Sequence, residues 1–224
     1  MINNKLTHKI LIIFILLTLY ASIPAKDEKK STDPVLDFYL QKAKAVYNSL
    51  NPDENGAAYS FIARSYQSEL IRNGIIDLID SSIVKYYFSF GNLDSHKVEI
   101  STSNKLDSLD FSYPNLFEKD YDFNFFPHDI GGENISIGID SDTIKNLVPV
   151  GIAVIGRQKY VLRRLYLYYP DNDRYKRYSK VISLKEHEGV AFPDSINVTF
   201  SKMGIFSAAH FRLLTVIDSF TVSR

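Results

Sequence analysis

The chain has 224 residues, no cysteine, no tryptophan, and 26 basic against 26 acidic side chains. Without cysteine, disulfides, thiolate chemistry and Cys-type zinc sites are excluded, and the balanced charge gives no electrostatic reason to bind nucleic acid. The charge is unevenly spread, with nine acids and two lysines in residues 105–142 and nine basic residues and two acids in residues 157–185.

Residues 1–25 read as a cleavable signal peptide. Lys5 and Lys9 give a basic start, Ile10 to Tyr20 an apolar run, and Ala21, Ser22 and Ala25 the small residues of a cleavage region. The run is about half the roughly 20 residues that span a bilayer, so export with cleavage is expected rather than anchoring. No cysteine lies near the cut, which excludes a lipid-modified N-terminus. Residues 26–32 read as a polar spacer and residues 33–224 as one domain, about 200 residues being a usual domain length.

The spacer leads into a helix. Asp33 is a suitable N-cap, Pro34 suits the first helical position, and Asn51-Pro52 marks the stop. Between them Leu36, Tyr39, Ala43, Val46, Tyr47 and Leu50 form one apolar stripe. Strands follow. Residues 57–72 read as extended, Asn73-Gly74 as a hairpin turn, and "IIDLID" as the returning strand. Ser81-Ser82 is read as a turn into "IVKYYFSFG", where Val84, Tyr86, Phe88 and Phe90 share a side. "GNLD" turns again into "HKVEIS", with His96, Val98 and Ile100 on one side.

Residues 102–132 are acidic and aromatic and read as a short helix and loop lying across the sheet. Strands resume with "ISIGID", "VPVGIAVIG", "YVLRRLYLYY", "RYKRYSKVISL", "SINVTFS" and "FSAAHFRLLTVIDSF". The total is about ten strands, an α+β or all-β architecture, mainly antiparallel. A sheet of that size is expected to curl strongly, its concave face covered by the first helix and the middle segment.

Two late strands are apolar on both faces. In "YVLRRLYLYY" alternation puts Val161, Arg163, Leu165, Leu167 and Tyr169 on one side. Tyr160, Leu162, Arg164, Tyr166 and Tyr168 fall on the other. In the last strand Phe211, Leu213 and Ile217 oppose Leu214, Val216 and Phe220. One face is expected to be core; the other meets a second protein layer, a partner or an apolar ligand.

Catalytic and metal signals are absent. His96, His128, His187 and His210 lack paired metal-ligand spacing. The aspartates at 140–142 and 171–173 are explained as turns, lacking the glycine and glutamate of an EF-hand. There is no G-x-S-x-G, and Glu186, His187 and Glu188 fall on an expected loop where neighbours do not share a face. No catalytic residue, metal or cofactor is expected. Arg163 and Arg164 admit two readings: partly buried and paired with an acid of residues 105–142, or at a cavity mouth holding an anionic headgroup.

In element order the mature chain resembles the LolA/LolB-like superfamily of outer-membrane lipoprotein-sorting proteins. "LQKAKAVYNSL" is similar to the family's opening helix, "YPNLF" to its "RPxLF" segment with Tyr113 in place of the arginine, and "FPDSINVTF" followed by "FRLLTVIDSF" to its closing strands. The resemblance implies a periplasmic, non-enzymatic, monomeric carrier of the bacterial cell envelope. It implies a half-barrel whose hydrophobic cavity shields the acyl chain of a lipoprotein or other lipid. Tyr86, Phe88, Leu165, Leu167, Phe211 and Leu213 are the expected lining, with Arg163 or Arg164 at the mouth. The alternative is a structural or interaction protein of the envelope that uses the fold without a lipid and docks on other envelope proteins.

Overall fold

Helix α1 spans Pro34–Leu50 in the computed structural model, which describes residues 33–52, 56–70, 76–89, 92–101, 117, 121–125, 132–140, 150–171, 176–203 and 208–223. The expected signal peptide lies outside them, as do His128, Tyr113 and most of the acidic middle segment. The helix begins where its cap dictates: the Asp33 carboxylate accepts from the amides of Val35 at 2.8 Å and Leu36 at 3.3 Å. Leu36, Ala43 and Tyr47 are buried, so the predicted stripe is the face that packs.

Ten strands are described: β1 (Ala58–Leu70), β2 (Ile76–Ser89), β3 (Asn92–Ser101), β4 (Asp122–Phe125), β5 (Asn134–Asp140), β6 (Val150–Gly156), β7 (Leu162–Tyr168), β8 (Lys176–His187), β9 (Val190–Met203) and β10 (Ala208–Ser223). They form one antiparallel sheet in the order β3-β2-β1-β10-β9-β8-β7-β6-β5-β4. The chain builds one wing outward from β1, returns through the other, and closes the middle with β10.

One expectation fails here. The sheet is not a strongly curved half-barrel: it is open, neither closed nor strongly curled, with β3 and β4 as unjoined edges. Its edges are unequal, ten residues in β3 against four in β4, so they offer no matching ladder across which to close. Large sheets can also stay open by flattening.

The registers place a continuous row of side chains on one face. It runs Ser82, Ser65, Thr215, Ile196, Ile182, Leu165, Ala153, Ile137 and Phe125, from β2 across to β4. All but the last are buried. Helix α1 lies on this inner face, where Tyr39 meets the Phe125 ring edge-on at 6.4 Å. Burying each large aliphatic side chain here contributes about 1.5–3 kcal/mol. Two of the row's three hydroxyls satisfy one another, Ser65 to Thr215 at 2.9 Å.

Local expectations are corrected by three features. Ser81-Ser82 is not a turn: β2 runs straight through it, and Ser82 is buried opposite Ser65. The middle segment contributes strand β4 where a helix and loop were expected. Glu186, His187 and Glu188 are not on a loop of their own, because β8 continues to His187 and a two-residue turn, Glu188-Gly189, leads into β9. Both turn residues have positive φ, 51° and 79°, which glycine supplies freely at the second position. Pro193, inside β9, sits at a register shift, where a missing amide is tolerated.

Register shifts also re-aim two side chains. Tyr59 pairs with Val222 and Ser60 with Thr221, but Ile62 pairs with Asp218; the one extra residue of β10 bulges at Ser219, φ 52°. Phe220 therefore faces inward, against Phe192 at 4.8 Å, and not outward with Val216. A shift between Val154 and Ile155 likewise pairs Leu162 with Ile155 on the inner face.

Candidate ligand-binding face

All six expected lining residues share the inner face, but they form two groups. Tyr86 and Phe88 lie at one end, where rings fill the surface. Tyr59 stacks on Phe88 at 5.0 Å, Phe61 stacks on Tyr86 at 5.4 Å, and Phe192 meets Tyr59 and Phe61 at 5.3 and 5.0 Å. Phe61 and Phe192 are fully buried. This end is occupied by the protein's own side chains.

Of the other four, Leu165 belongs to the central row, while Leu167, Phe211 and Leu213 lie beyond it, Leu167 three strands along from the other two. Leu213, Val198, Lys180, Leu167 and Gly151 are successive partners from β10 to β6. Leu165 lies one inward position along from Leu167, and Phe211 one along from Leu213. Phe211 stacks on Phe200 at 5.3 Å, and Tyr178 stacks on Phe200 at 6.5 Å. Phe200, Phe211 and Leu213 are only half-buried, unlike Leu165 and Leu167 behind them. The wall therefore has a dry back and a front edge that still meets solvent.

Two lysines mark that edge. The Lys202 ammonium lies 5.7 Å from the Phe200 ring centre and 5.4 Å from that of Phe211, the arrangement in which a ring face attracts a cation. Lys180 is half-buried between Leu167 and Val198. Lysine carries its charge at the end of an apolar stem, so it extends an oily wall while offering a cation at its rim. Neither lysine was expected at the site. The alternation of "RYKRYSKVISL" sets Tyr178 and Lys180 beside Ile182, and was the signal for one of them.

Arg163 and Arg164 stand apart from this wall. Both are exposed, and Arg164 pairs with Val154 and Ser183 on the outer face. The neighbouring register shift leaves the Arg163 guanidinium over Gly156. Neither is brought to the lining residues or buried against an acid.

The histidines are dispersed. His96 is exposed on edge strand β3, with its ring 6.0 Å from that of Tyr86. His210 Nδ1 lies 2.8 Å from Ser201 Oγ, but that serine is only 4% exposed and the pair links β9 to β10. The His187 ring is 5.0 Å from Phe220, and burial draws its pKa below the ordinary imidazole value. Among the described residues no three His, Cys, Asp or Glu side chains are grouped to hold a metal ion.

No family model matches the chain, and no curated protein matches it by sequence. Solved structures do match. A LolA superfamily protein from Nitrosomonas europaea is 7% identical with a TM-score of 0.42, covering 82% of this chain and 93% of its own. An outer membrane lipoprotein-sorting protein domain from Vibrio parahaemolyticus is 11% identical with a TM-score of 0.40, covering 83% and 91%. The MucA/MucB complex of Pseudomonas aeruginosa aligns at 8% identity and a TM-score of 0.26, over 81% of this chain and 99% of the matched one.

Proposed function

We propose that this chain is a non-enzymatic binding protein of the bacterial cell envelope, exported to the periplasm, that holds an acyl chain of a lipoprotein or other lipid. The tail lies along Leu167, Phe200, Phe211 and Leu213, with Leu165 behind it. Lys180 and Lys202 face its polar end. The observation that supports this reading is the half-buried aromatic edge with Lys202 over both of its rings. Ligand sites are mostly apolar with a few placed polar groups, and this combination suits an amphiphile. Tyr86 and Phe88 close the far end through their ring stack.

The test uses protein stripped of lipid, then mixed with a fatty acid or an acylated lipoprotein and weighed by native mass spectrometry. Retained adduct is expected, as is displacement of a fluorescent acyl probe. Phe211→Ala should weaken the probe about tenfold, equivalent to roughly 1.4 kcal/mol, and Tyr87→Ala on the outer face should leave it unchanged. No adduct and no displacement would sink the proposal.

A second reading, an envelope interaction or structural protein without a lipid ligand, is favoured by the ring cluster that fills the β1–β2 end. It expects stripped protein to melt at the same temperature as protein mixed with lipid, whereas a carrier should gain stability with its ligand.

A further inference from the structure

The β6–β7 hairpin gathers positive charge without acids of its own to offset it. From Val150 to Tyr168 the chain carries Arg157, Lys159, Arg163 and Arg164 and no aspartate or glutamate. Strict alternation would send Arg163 and Arg164 to opposite faces. A bulge prevents this: Leu162 pairs with Ile155 and Arg164 with Val154, so Arg163 is the one extra residue of β7. Gly156 lies beneath it, on the outer side because its neighbour Ile155 is buried on the inner one. A Cβ at Gly156 would stand 2.9 Å from Arg163 Nε and 3.4 Å from Cζ. Glycine therefore lets the Arg163 guanidinium lie down against β6, on the same face as Arg164.

Neither arginine meets a carboxylate among the described residues. Arg164 Nη1 reaches the Tyr166 hydroxyl at 3.2 Å. Other outer-face arginines are served: Arg64 donates to Asp218 at 2.6 Å and Arg212 to Asn197 at 3.0 Å. Arg163 and Arg164 are both exposed, so their donors stay open to a ligand. Neutral polar groups flank them. Ser183 sits directly across from Arg164 on β8. Asn134 is the cross-strand partner of Gly156, and its side-chain oxygen is buried with no hydrogen-bond partner among the described residues. With nothing holding that oxygen in place, a half-turn of the amide presents its two N–H donors instead.

We propose that Arg163 and Arg164 form an anion site for a phosphate group. The planar fork of arginine matches phosphate and carboxylate alike, and charge decides between them. A phosphate monoester carries about −1.5 to −2 at pH 7 with three strong acceptor oxygens; a carboxylate brings one charge and two oxygens. Two guanidiniums flanked by a tyrosine, a serine and an asparagine suit the phosphate. The group can belong to a soluble phosphate ester or to the headgroup of a membrane phospholipid. It is not the head of a lipid held on the inner face, since the sheet stands between them. The proposal is therefore independent of acyl-chain binding.

Isothermal titration calorimetry of the lipid-stripped chain with inorganic phosphate, at an ionic strength held constant with sodium chloride, tests this. Saturable binding with a dissociation constant of roughly 1 mM or below is expected. R163Q/R164Q should weaken it at least about tenfold without moving the melting temperature, because both side chains are exposed. R163K/R164K keeps the charge, loses the fork and should fall between. Gly156→Ala, whose Cβ displaces Arg163, should weaken binding too, and Arg212→Gln should not. Acetate should bind at least about tenfold more weakly than phosphate. Cosedimentation with phosphatidylcholine vesicles containing phosphatidic acid separates the two sources. Vesicle binding that R163Q/R164Q loses makes the ligand a lipid headgroup; phosphate binding without it makes the ligand a soluble ester. No phosphate binding up to roughly 10 mM, equal binding by R163Q/R164Q, or acetate bound as tightly as phosphate overturns the proposal.

Discussion

His187 is a residue whose surroundings make a pH prediction. Its Nε2 is buried with no hydrogen-bond partner among the described residues and its ring lies against Phe220. Burial is the largest influence and lowers its pKa; Asp194 opposes this, Lys185 reinforces it, and Glu188 opposes it more weakly. The unfolded chain therefore binds a proton more readily than the folded one. The stability this contributes is present above the ordinary value near 6.5 and is lost as pH falls from there through the lowered folded value. Melting temperatures measured from pH 7.5 down to pH 5 should fall, and His187→Phe should flatten that part of the curve. An equal fall in the variant would mean that other groups carry it. At the same scale, Asp33→Ala removes an acceptor for two amides and should cost about 1 kcal/mol in chemical denaturation.

Among the elements, β10 shows how one inserted residue governs a strand. Ser219 adopts φ 52°, a conformation that costs a serine but not a glycine. Ser219→Gly should hold or slightly raise the melting temperature, and Ser219→Val should lower it. Deleting Ser219 should do far more damage, because restored alternation turns Phe220 out of its cluster with Tyr59, Phe61 and Phe192. A cost of about 3 kcal/mol or more is expected, as for removing a core aromatic ring. If the deletion proves no worse than Ser219→Val, the bulge does not set the aim of Phe220. The same element marks where sequence reading stops. Alternation correctly set Leu213 with Phe211, and Leu165 with Leu167, because apolar periodicity reports burial directly. It misplaced Phe220 and Leu162, each beyond a bulge, since a bulge depends on partner register and leaves no periodic trace. Of the proposed site, the shared face of its aliphatic residues followed from period two, whereas Lys180 and Lys202 were not singled out. Arg164 faces away from that wall by simple alternation with Leu165, and Arg163 does so because of the shift beside Leu162.

For the whole molecule, antiparallel pairing and the opening helix were legible, the total of ten strands agrees only because the false turn at Ser81-Ser82 offsets the unexpected β4, and the curvature was not legible. Whether ten strands curl depends on edge lengths and bulges, which no stretch of sequence displays by itself. The open sheet has a consequence for dynamics. Edge strand β3 is exposed at every side chain described from Leu93 to Ile100, and its pairing with β2 is broken by two register shifts. By contrast β1 and β10 flank one another in the middle, with Phe61, Ala63, Thr215 and Ile217 buried between sheet and cover. Segments with few buried apolar groups open at a small fraction of the global unfolding energy. Amide hydrogen exchange should therefore find β3 fast and β1, β9 and β10 slowest, with β2 protected on its β1 side. Leu93→Ala and Ile100→Ala, exposed at 49% and 57%, should leave the unfolding free energy within about 0.5 kcal/mol of wild type, whereas Ile137→Ala, fully buried, should cost about 2–5 kcal/mol. A strand β3 as slow to exchange as β10 would mean that something covers this edge, and the sheet would then have to be described as part of a larger assembly.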